Sequence, residues 1–464
     1  MGRQRPSVGP IIAVVLGVCL VAAGLAVVGR DRIAAAVGSP APRWRPGTAP
    51  SAPPILAAVS TGAQAPTTAG LTTVLRPLLA DPGLGTHTAI SVIDATTGES
   101  LFSGGGETAS TPASTAKLIT ATTVLTARDP AYRLKTRAVA GTEPGDVVLI
   151  GAGDPTLAAG KVGTYPDAAR LPDLAAQVKT ALGDTQPTRV VVDSSLFEGP
   201  GFGPGWDDDI PTGGSAAAIT SLMTDGGRVD PTRVRGSSKR YVQPDLAAGQ
   251  AFATALGISG RVSAGKAPEG AKELGAVESP PLIRLVDMML TESDNVIAEC
   301  LARQVALARN ERASFDGAAA AMRAVIGELG LTATEDGLVD GSGLSRTDRL
   351  TPSLLADILA LATKSDRPQL RSVFGGLPVA GYSGTLRERY RSPGAGGAAA
   401  GLVRAKTGTL RRVSAIAGIV VDTDGRTLAF AVLADGVAVG QTATTASQQA
   451  LDRIAAALAT CGCR

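Results

Sequence analysis

The run Ala89-Ile90-Ser91-Val92-Ile93-Asp94 has the two-residue rhythm of a half-buried strand. Thr97-Gly98 follows as a turn and Ser100-Leu101-Phe102 as a second short run, so the pattern predicts a β-hairpin. Ser114 to Ala127 reads as a helix that starts after Pro112 and carries Leu118, Ile119, Val124 and Leu125 on overlapping faces. Val147 to Ile150 and Arg189 to Asp193 read as short buried strands. Helical spacing takes over in Pro281 to Leu290, Val296 to Leu307, Ala318 to Leu329 and Pro352 to Thr363. Strand patterns return at Leu402 to Thr407, Ser414 to Asp422 and Thr427 to Ala434, and a final helix is predicted over Thr445 to Leu458. This order predicts an α/β (α+β) fold, with one sheet built from both chain ends and a helical lobe beside it. No fixed-period repeat is visible.

Upstream of this body the pattern changes. An apolar run from Ile11 to Val28 is preceded by Arg3 and Arg5 and followed by Arg30 and Arg32. At a rise of about 1.5 Å per residue that run reaches about 27 Å, close to the hydrocarbon thickness of a bilayer. Secretory apolar segments are shorter. Residues 1–38 are therefore expected to be a retained membrane anchor, with a signal cleaved near Ala34-Ala35-Ala36 as the alternative. Either way the chain is expected to be exported to the cell envelope. Cys19 follows Leu16-Gly17-Val18, a poor lipoprotein box because of Val18. Residues 39–67 are rich in Pro, Ala, Gly, Ser and Thr and are expected to form a disordered linker.

Composition narrows the chemistry. The 464 residues give room for about two or three domains. Aromatics are only 3%, so Ala, Val and Leu must fill the core. Arginine outnumbers lysine in an Ala- and Gly-rich chain, which reflects a GC-rich genome more than a function. A net charge of +3 gives no electrostatic footprint for nucleic acid. The single histidine, His87, excludes a zinc site with two or more His ligands. A Ser-His-Asp triad could use only His87, which reads instead as a solvated or capping residue at a strand start. Of the four cysteines, Cys19 lies in the apolar run. An oxidising compartment then predicts one disulfide and one leftover thiol among Cys300, Cys461 and Cys463, with Cys300 paired to one of the C-terminal two.

Three motifs occur in order: Ser114-Thr115-Ala116-Lys117, Ser293-Asp294-Asn295 and Lys406-Thr407-Gly408. Positions i and i+3 share a helix face, so Ser114 and Lys117 meet at the helix start. A lysine desolvated beside another cation loses basicity and can serve as the base that activates a serine. Ser293 and Asn295 cannot share a helix face, so a turn should aim both at a cleft, where Ser293 could pass a proton and Asn295 could hold an amide. Lys406 and Thr407 suit a carboxylate, and Gly408 should let substrate backbone approach. A second match, Ser263-Ala264-Gly265-Lys266, contains a glycine, opens no apolar helical run and reads as a surface loop.

With these motifs the sequence resembles the D-alanyl-D-alanine carboxypeptidase/endopeptidases, the class C low-molecular-mass penicillin-binding proteins. The interval from Ser114 to Ser293 is much longer than in class A β-lactamases, as in this family, which carries a domain inserted there. Gly151-Ala152-Gly153-Asp154-Pro155-Thr156-Leu157, Asp340-Gly341-Ser342-Gly343-Leu344-Ser345, and Pro378-Val379-Ala380-Gly381 with Gly384-Thr385-Leu386 add to the resemblance. It implies a penicillin-binding, serine β-lactamase-like catalytic domain with an antiparallel sheet and helical lobe at 68–132 and 278–464, interrupted by an inserted domain at 133–277. That insert is shorter than in the larger members. The resemblance further implies that Ser114 attacks the penultimate D-alanine carbonyl of peptidoglycan stem peptides, with Lys117 as base. Ser293 relays the proton, Asn295 binds the peptide, and Lys406 and Thr407 hold the carboxylate. Backbone N–H groups of Ser114 and Thr409 form the oxyanion hole. β-Lactams act as inhibitors, and no metal or organic cofactor is implied. Two rival readings stand beside this one. A β-lactamase would need a Glu-bearing deacylation loop, which is not found. A non-catalytic penicillin-binding or wall-binding protein would not need Ser114, Lys117, Ser293 and Lys406 intact.

Overall fold

The computed structural model describes residues 63–260, 262–333, 337–391 and 396–464. The apolar run from Ile11 and most of the expected linker lie outside the described residues. The strands are β1 (His87–Asp94), β2 (Ser100–Gly104), β3 (Lys135–Ala140), β4 (Asp146–Ile150), β5 (Arg189–Asp193), β6 (Val262–Ala264), β7 (Glu273–Glu278), β8 (Arg404–Leu410), β9 (Val413–Val421) and β10 (Thr427–Asp435). The longer helices are α1 (Thr68–Leu79), α2 (Lys117–Ala127), α3 (Leu171–Leu182), α4 (Pro244–Leu256), α5 (Leu282–Glu292), α6 (Asn295–Ala308), α7 (Phe315–Glu328), α8 (Pro352–Leu361) and α9 (Gln441–Ala459).

Both chain ends build one antiparallel sheet in the order β2-β1-β10-β9-β8. Alternation along β10 sorts its side chains. Leu428, Phe430 and Val432 pack with Leu71 and Leu75 of α1 and Ile454 and Leu458 of α9. Ala429, Ala431 and Leu433 face a helical core that includes Leu118, Leu285, Ile297, Met322 and Leu355. The small alanines on that side let helices approach the sheet closely. The predicted strands and helices of this part are present, although α9 starts earlier than the apolar pattern showed.

The second sheet, β6-β5-β4-β3-β7, lies wholly between Lys135 and Glu278. Its parallel pairs, β4 with β5 and β5 with β6, are joined through α3 and α4, the connection that parallel strands require. It has its own core around Val147, Leu149, Val190, Leu174 and Phe252.

Four expectations need correction. The second SxxK match is not a loop at its serine: Ser263 lies in β6, an edge strand paired parallel with β5. The helix expected from Ser114 begins as a 3-10 turn, Ala113–Ala116, and becomes α-helical at Lys117. The linker ends earlier than residue 67, because Thr67 caps α1 and its N–H donates to the Cys463 carbonyl at 2.7 Å. The disulfide joins Cys461 to Cys463, with a Cα separation of 5.1 Å inside the range such a bridge allows. Cys300 is a free thiol on α6, fully buried beside Val296 and Phe315. No helix among the described residues is long and apolar enough to cross a membrane.

Candidate active site

The turn carrying Ser114 follows Pro112 and runs straight into α2. Ala113, just before the serine, has φ 46°, a conformation that a non-glycine residue holds only under the constraint of its surroundings. Two glycines supply the constraint. A Cβ on Gly343 would lie 1.9 Å from the Ala113 carbonyl oxygen, and one on Gly408 would lie 2.7 Å from that of Pro112. Gly408 therefore makes room for the backbone of the turn that carries the nucleophile.

Lys117 is completely buried. Its Nζ donates to Ser114 Oγ at 2.8 Å, to Asn295 Oδ1 at 2.6 Å and to the Ser342 carbonyl at 2.6 Å. Burial pulls its pKa down to about 8, against the opposing pull of the Asp340, Glu299 and Asp294 carboxylates. Lys406 on β8 is also fully buried and donates to Ser293 Oγ at 2.9 Å. Burial and the neighbouring Lys117 charge hold its pKa well below the ordinary lysine value.

The segment between α5 and α6 is the turn that the Ser293-Asp294-Asn295 spacing demanded. Ser293 is left-handed at φ 58° and ends α5. Asp294 caps α6 by accepting from the N–H groups of Val296 and Ile297. Burial would raise the Asp294 carboxyl, but the Arg228 and Arg240 guanidiniums and the Ile297 N–H outweigh it and hold it at about 2. Tyr165 donates to Asp294 at 2.7 Å and Arg228 at 3.2 Å, and Asn295 Nδ2 donates to the Ser215 carbonyl at 3.0 Å. Tyr165, Arg228 and Ser215 thus brace the turn from the segment between α2 and α5.

A cleft of about 690 Å³ opens over these groups, lined by Ser114, Ser293, Asn295, Thr407 and Thr409. Lys117, Lys406 and Gly408 lie beneath its floor. Thr407 Oγ1 meets Thr385 Oγ1 at 2.7 Å, and Gln448 donates to Thr409 Oγ1 at 3.3 Å. An Arg346–Asp207 ion pair stands at the cleft margin. β8 is an edge strand, and the Ala405 N–H donates outward to the Pro378 carbonyl. Alternation puts the N–H groups of Thr407 and Thr409 on that same outer edge.

All the residues singled out from the three motifs converge here, while Ser263 and Lys266 belong to the other sheet and the loop after it. His87 opens β1, where it is exposed and hydrogen-bonded to Asp435. The Gly151 to Leu157 run packs on α6 through Gln304, whose Nε2 donates to the Ala152 carbonyl. Its Asp154 carboxyl is pushed up to about 6 by burial. Sequence reasoning missed Ser215, Tyr165, Arg228 and Glu299. Only Glu299 left a signal, lying four residues after Asn295 on one helix face. No cluster of metal-ligating side chains occurs among the described residues.

The model of the D-Ala-D-Ala carboxypeptidase 3 (S13) family matches residues 71–255 and 232–458. The chain is 41% identical to carboxypeptidase DacB of Mycolicibacterium smegmatis, covering 99% of this chain and 98% of that protein. It is 40% identical to carboxypeptidase Rv3627c of Mycobacterium tuberculosis, over 92% and 91% of the two chains. Among solved structures, penicillin binding protein 4 (dacB) from Haemophilus influenzae superimposes with a TM-score of 0.68 at 20% identity, covering 82% of this chain and 98% of that one. At that identity the likeness concerns the fold.

Proposed function

Because the chain belongs to the D-Ala-D-Ala carboxypeptidase 3 (S13) family, we propose that Ser114 is the nucleophile with which it cuts the bond after the penultimate D-alanine of peptidoglycan peptides. The enzyme is a serine D-Ala-D-Ala carboxypeptidase. The single observation that carries the assignment of Ser114 is its 2.8 Å hydrogen bond to a buried lysine amine whose pKa is down at about 8.

In this reading the substrate carbonyl enters the cleft above Ser114, with its oxygen toward the N–H groups of Ser114 and Thr409. Lys117, once neutral, takes the Ser114 proton as Oγ attacks. The tetrahedral adduct collapses to an ester on Ser114 and expels the terminal D-alanine. Ser293, linked to Lys406, delivers the proton to the leaving amine. Thr407 and the Lys406 charge hold the terminal carboxylate, and Asn295 holds the peptide on the acyl side. Water then hydrolyses the ester. Penicillins enter the same path and acylate Ser114.

Two finer points belong to the same proposal. Residues 133–277 are read as an inserted domain, for which the separate sheet and core give support. Export to the cell envelope, with residues 1–38 as anchor or signal, is supported by the arginine-flanked run from Ile11 to Val28. Fractionation that finds the full chain in the cytosol would remove this second point.

The test of the whole reading uses purified peptidoglycan and D-Ala-D-Ala-terminated peptides, with products identified by mass. Wild-type protein releases D-alanine and Ser114→Ala releases none. Release by Ser114→Ala at the wild-type rate would overturn the assignment.

A further inference from the structure

Lys117 presents an orientation problem that its neighbours solve. A neutral amine has two N–H bonds and one lone pair, and a base needs the lone pair on the Ser114 hydroxyl. Asn295 Oδ1 and the Ser342 carbonyl can only accept. The Asn295 amide cannot be turned round, because its Nδ2 donates to the Ser215 carbonyl. Both N–H bonds of the neutral lysine are therefore spent on these two acceptors, and the lone pair is left facing Ser114.

The Ser342 carbonyl is held in turn. The N–H groups of Gly341 and Ser342 donate to Glu299 Oε1 at 3.0 and 2.8 Å. Glu299 Oε2 accepts from Arg303 at 3.3 Å, and Arg303 lies over the Phe315 ring at 4.1 Å. Glu299 and Arg303 are both buried, and Gly341 lies so close to α6 that a Cβ would meet Ala302 at 2.6 Å. Asn295 and Glu299 are one turn apart on α6, so one helix face governs both acceptors of the lysine.

We propose that Glu299 is a positioning residue for the reaction, one that anchors the loop backbone through the Gly341 and Ser342 N–H groups so that the adjoining Ser342 carbonyl aims the Lys117 lone pair at Ser114. The inference rests on Lys117 acting as the base. Asp340 shares the Ser342 N–H at 3.0 Å and accepts from the Gly343 N–H of the peptide that carries the Ser342 carbonyl, so it holds that carbonyl from within the loop, as its bonds to Ser345 and Trp206 hold the loop itself. Glu299 adds the tie from that loop to the helix bearing Asn295.

A second consequence separates this role from simple structural support. The charged groups around Glu299 are Lys117 on α2, Asp340 and Asp348 from the loop before α8, and Asp294 and Arg303 at the two ends of its own stretch of α6. Burial and Asp340 push the Glu299 carboxyl up to about 7, while Arg303 and Lys117 favour its ionised form. A negative charge there favours the protonated lysine. Its removal lowers the pH at which the base is free.

The experiment follows acylation of the full-length chain by penicillin G, with Ser114 modification read by mass, across pH. Glu299→Gln keeps an oxygen for the two N–H groups but loses the charge and the second oxygen that accepts from Arg303. Its acid limb is expected to move to lower pH by about one unit with the plateau rate nearly unchanged. Glu299→Ala loses the oxygen too, and its plateau acylation rate is expected to fall about 100-fold with the non-covalent Kd unchanged. Should the alanine variant fail to fold, the glutamine profile decides alone. A Glu299→Gln limb that superimposes on wild type overturns the inference and leaves the acyl-enzyme reading standing. A wild type that penicillin never acylates overturns both.

Discussion

Ser293 and Lys406 meet at 2.9 Å although one ends a helix and the other lies on the edge strand of the sheet. Their contact closes the cleft between helical lobe and sheet and joins two of the three motifs. Replacing Lys406 with Met keeps the volume and removes the charge. Acylation by penicillin and D-alanine release should both fall, by about 10²-fold or more for loss of a charged carboxylate partner in the transition state. Stopped-flow acylation and product release measure the two separately.

The pH profile is set by Lys117. The amine must be neutral to act, and its pKa is lowered to about 8. The acylation rate should therefore rise with pH, reach half its plateau near pH 8, and stay low in acid. Lys117→Met should abolish the limb and reduce the rate by roughly 10²–10⁴-fold. A limb unchanged in Lys117→Met would transfer the base role elsewhere.

Gly408→Ala tests the packing under the nucleophile. The new methyl would lie 2.7 Å from the Pro112 oxygen, so the turn bearing Ser114 must shift. Overpacking should cost about 1–3 kcal/mol of stability, read by thermal unfolding. Acylation should fall more than that loss explains, because Ser114 moves with the turn.

Arg228→Met leaves the buried Asp294 carboxylate without its ion pair, at an expected cost of about 3–5 kcal/mol. In the wild type, Asp294 titrates at about 2, below the unfolded value near 4. Its contribution to stability is therefore complete above about pH 4 and is lost as pH falls through about 2. The variant keeps only the part of this reserve that Arg240 and the hydrogen bonds supply, and should unfold in acid at higher pH, which circular dichroism across pH would show.

Thiol chemistry gives a fifth check. Cys300 is fully enclosed, and burial raises its pKa. Native protein should take up no thiol reagent at Cys300, and denatured but unreduced protein should take it up there while Cys461 and Cys463 stay blocked.

The legibility of this molecule in its sequence has a physical pattern. Ser114 with Lys117, and Ser293 with Asn295, are short-range geometries, and a helix turn or a tight turn writes them into spacing. The sheet core was readable because β10 and β9 carry mostly apolar side chains. Tyr165, Arg228 and Ser215 reach the site from loop segments of irregular conformation, where no period marks a residue as inward-facing. The disulfide was misread for a related reason. Cys300 is spaced like any apolar residue of α6, while Cys461 and Cys463 sit past the last helix, where the chain is free to bend two neighbours together. The approach of the Pro112 carbonyl to Gly408 left no mark in the sequence, because a strand pattern does not say which backbone will press on a glycine.

The two glycines that clamp Ala113 come from residues 343 and 408, far down the chain from the serine they serve. A ribosome releases Ser114 hundreds of residues before β8 exists. Until that late strand arrives, the half of the clamp that Gly408 supplies is missing, and Lys406 is not there to meet Ser293. The growing polypeptide therefore carries a harmless hydroxyl, and the hydrolase is armed only by its own completion.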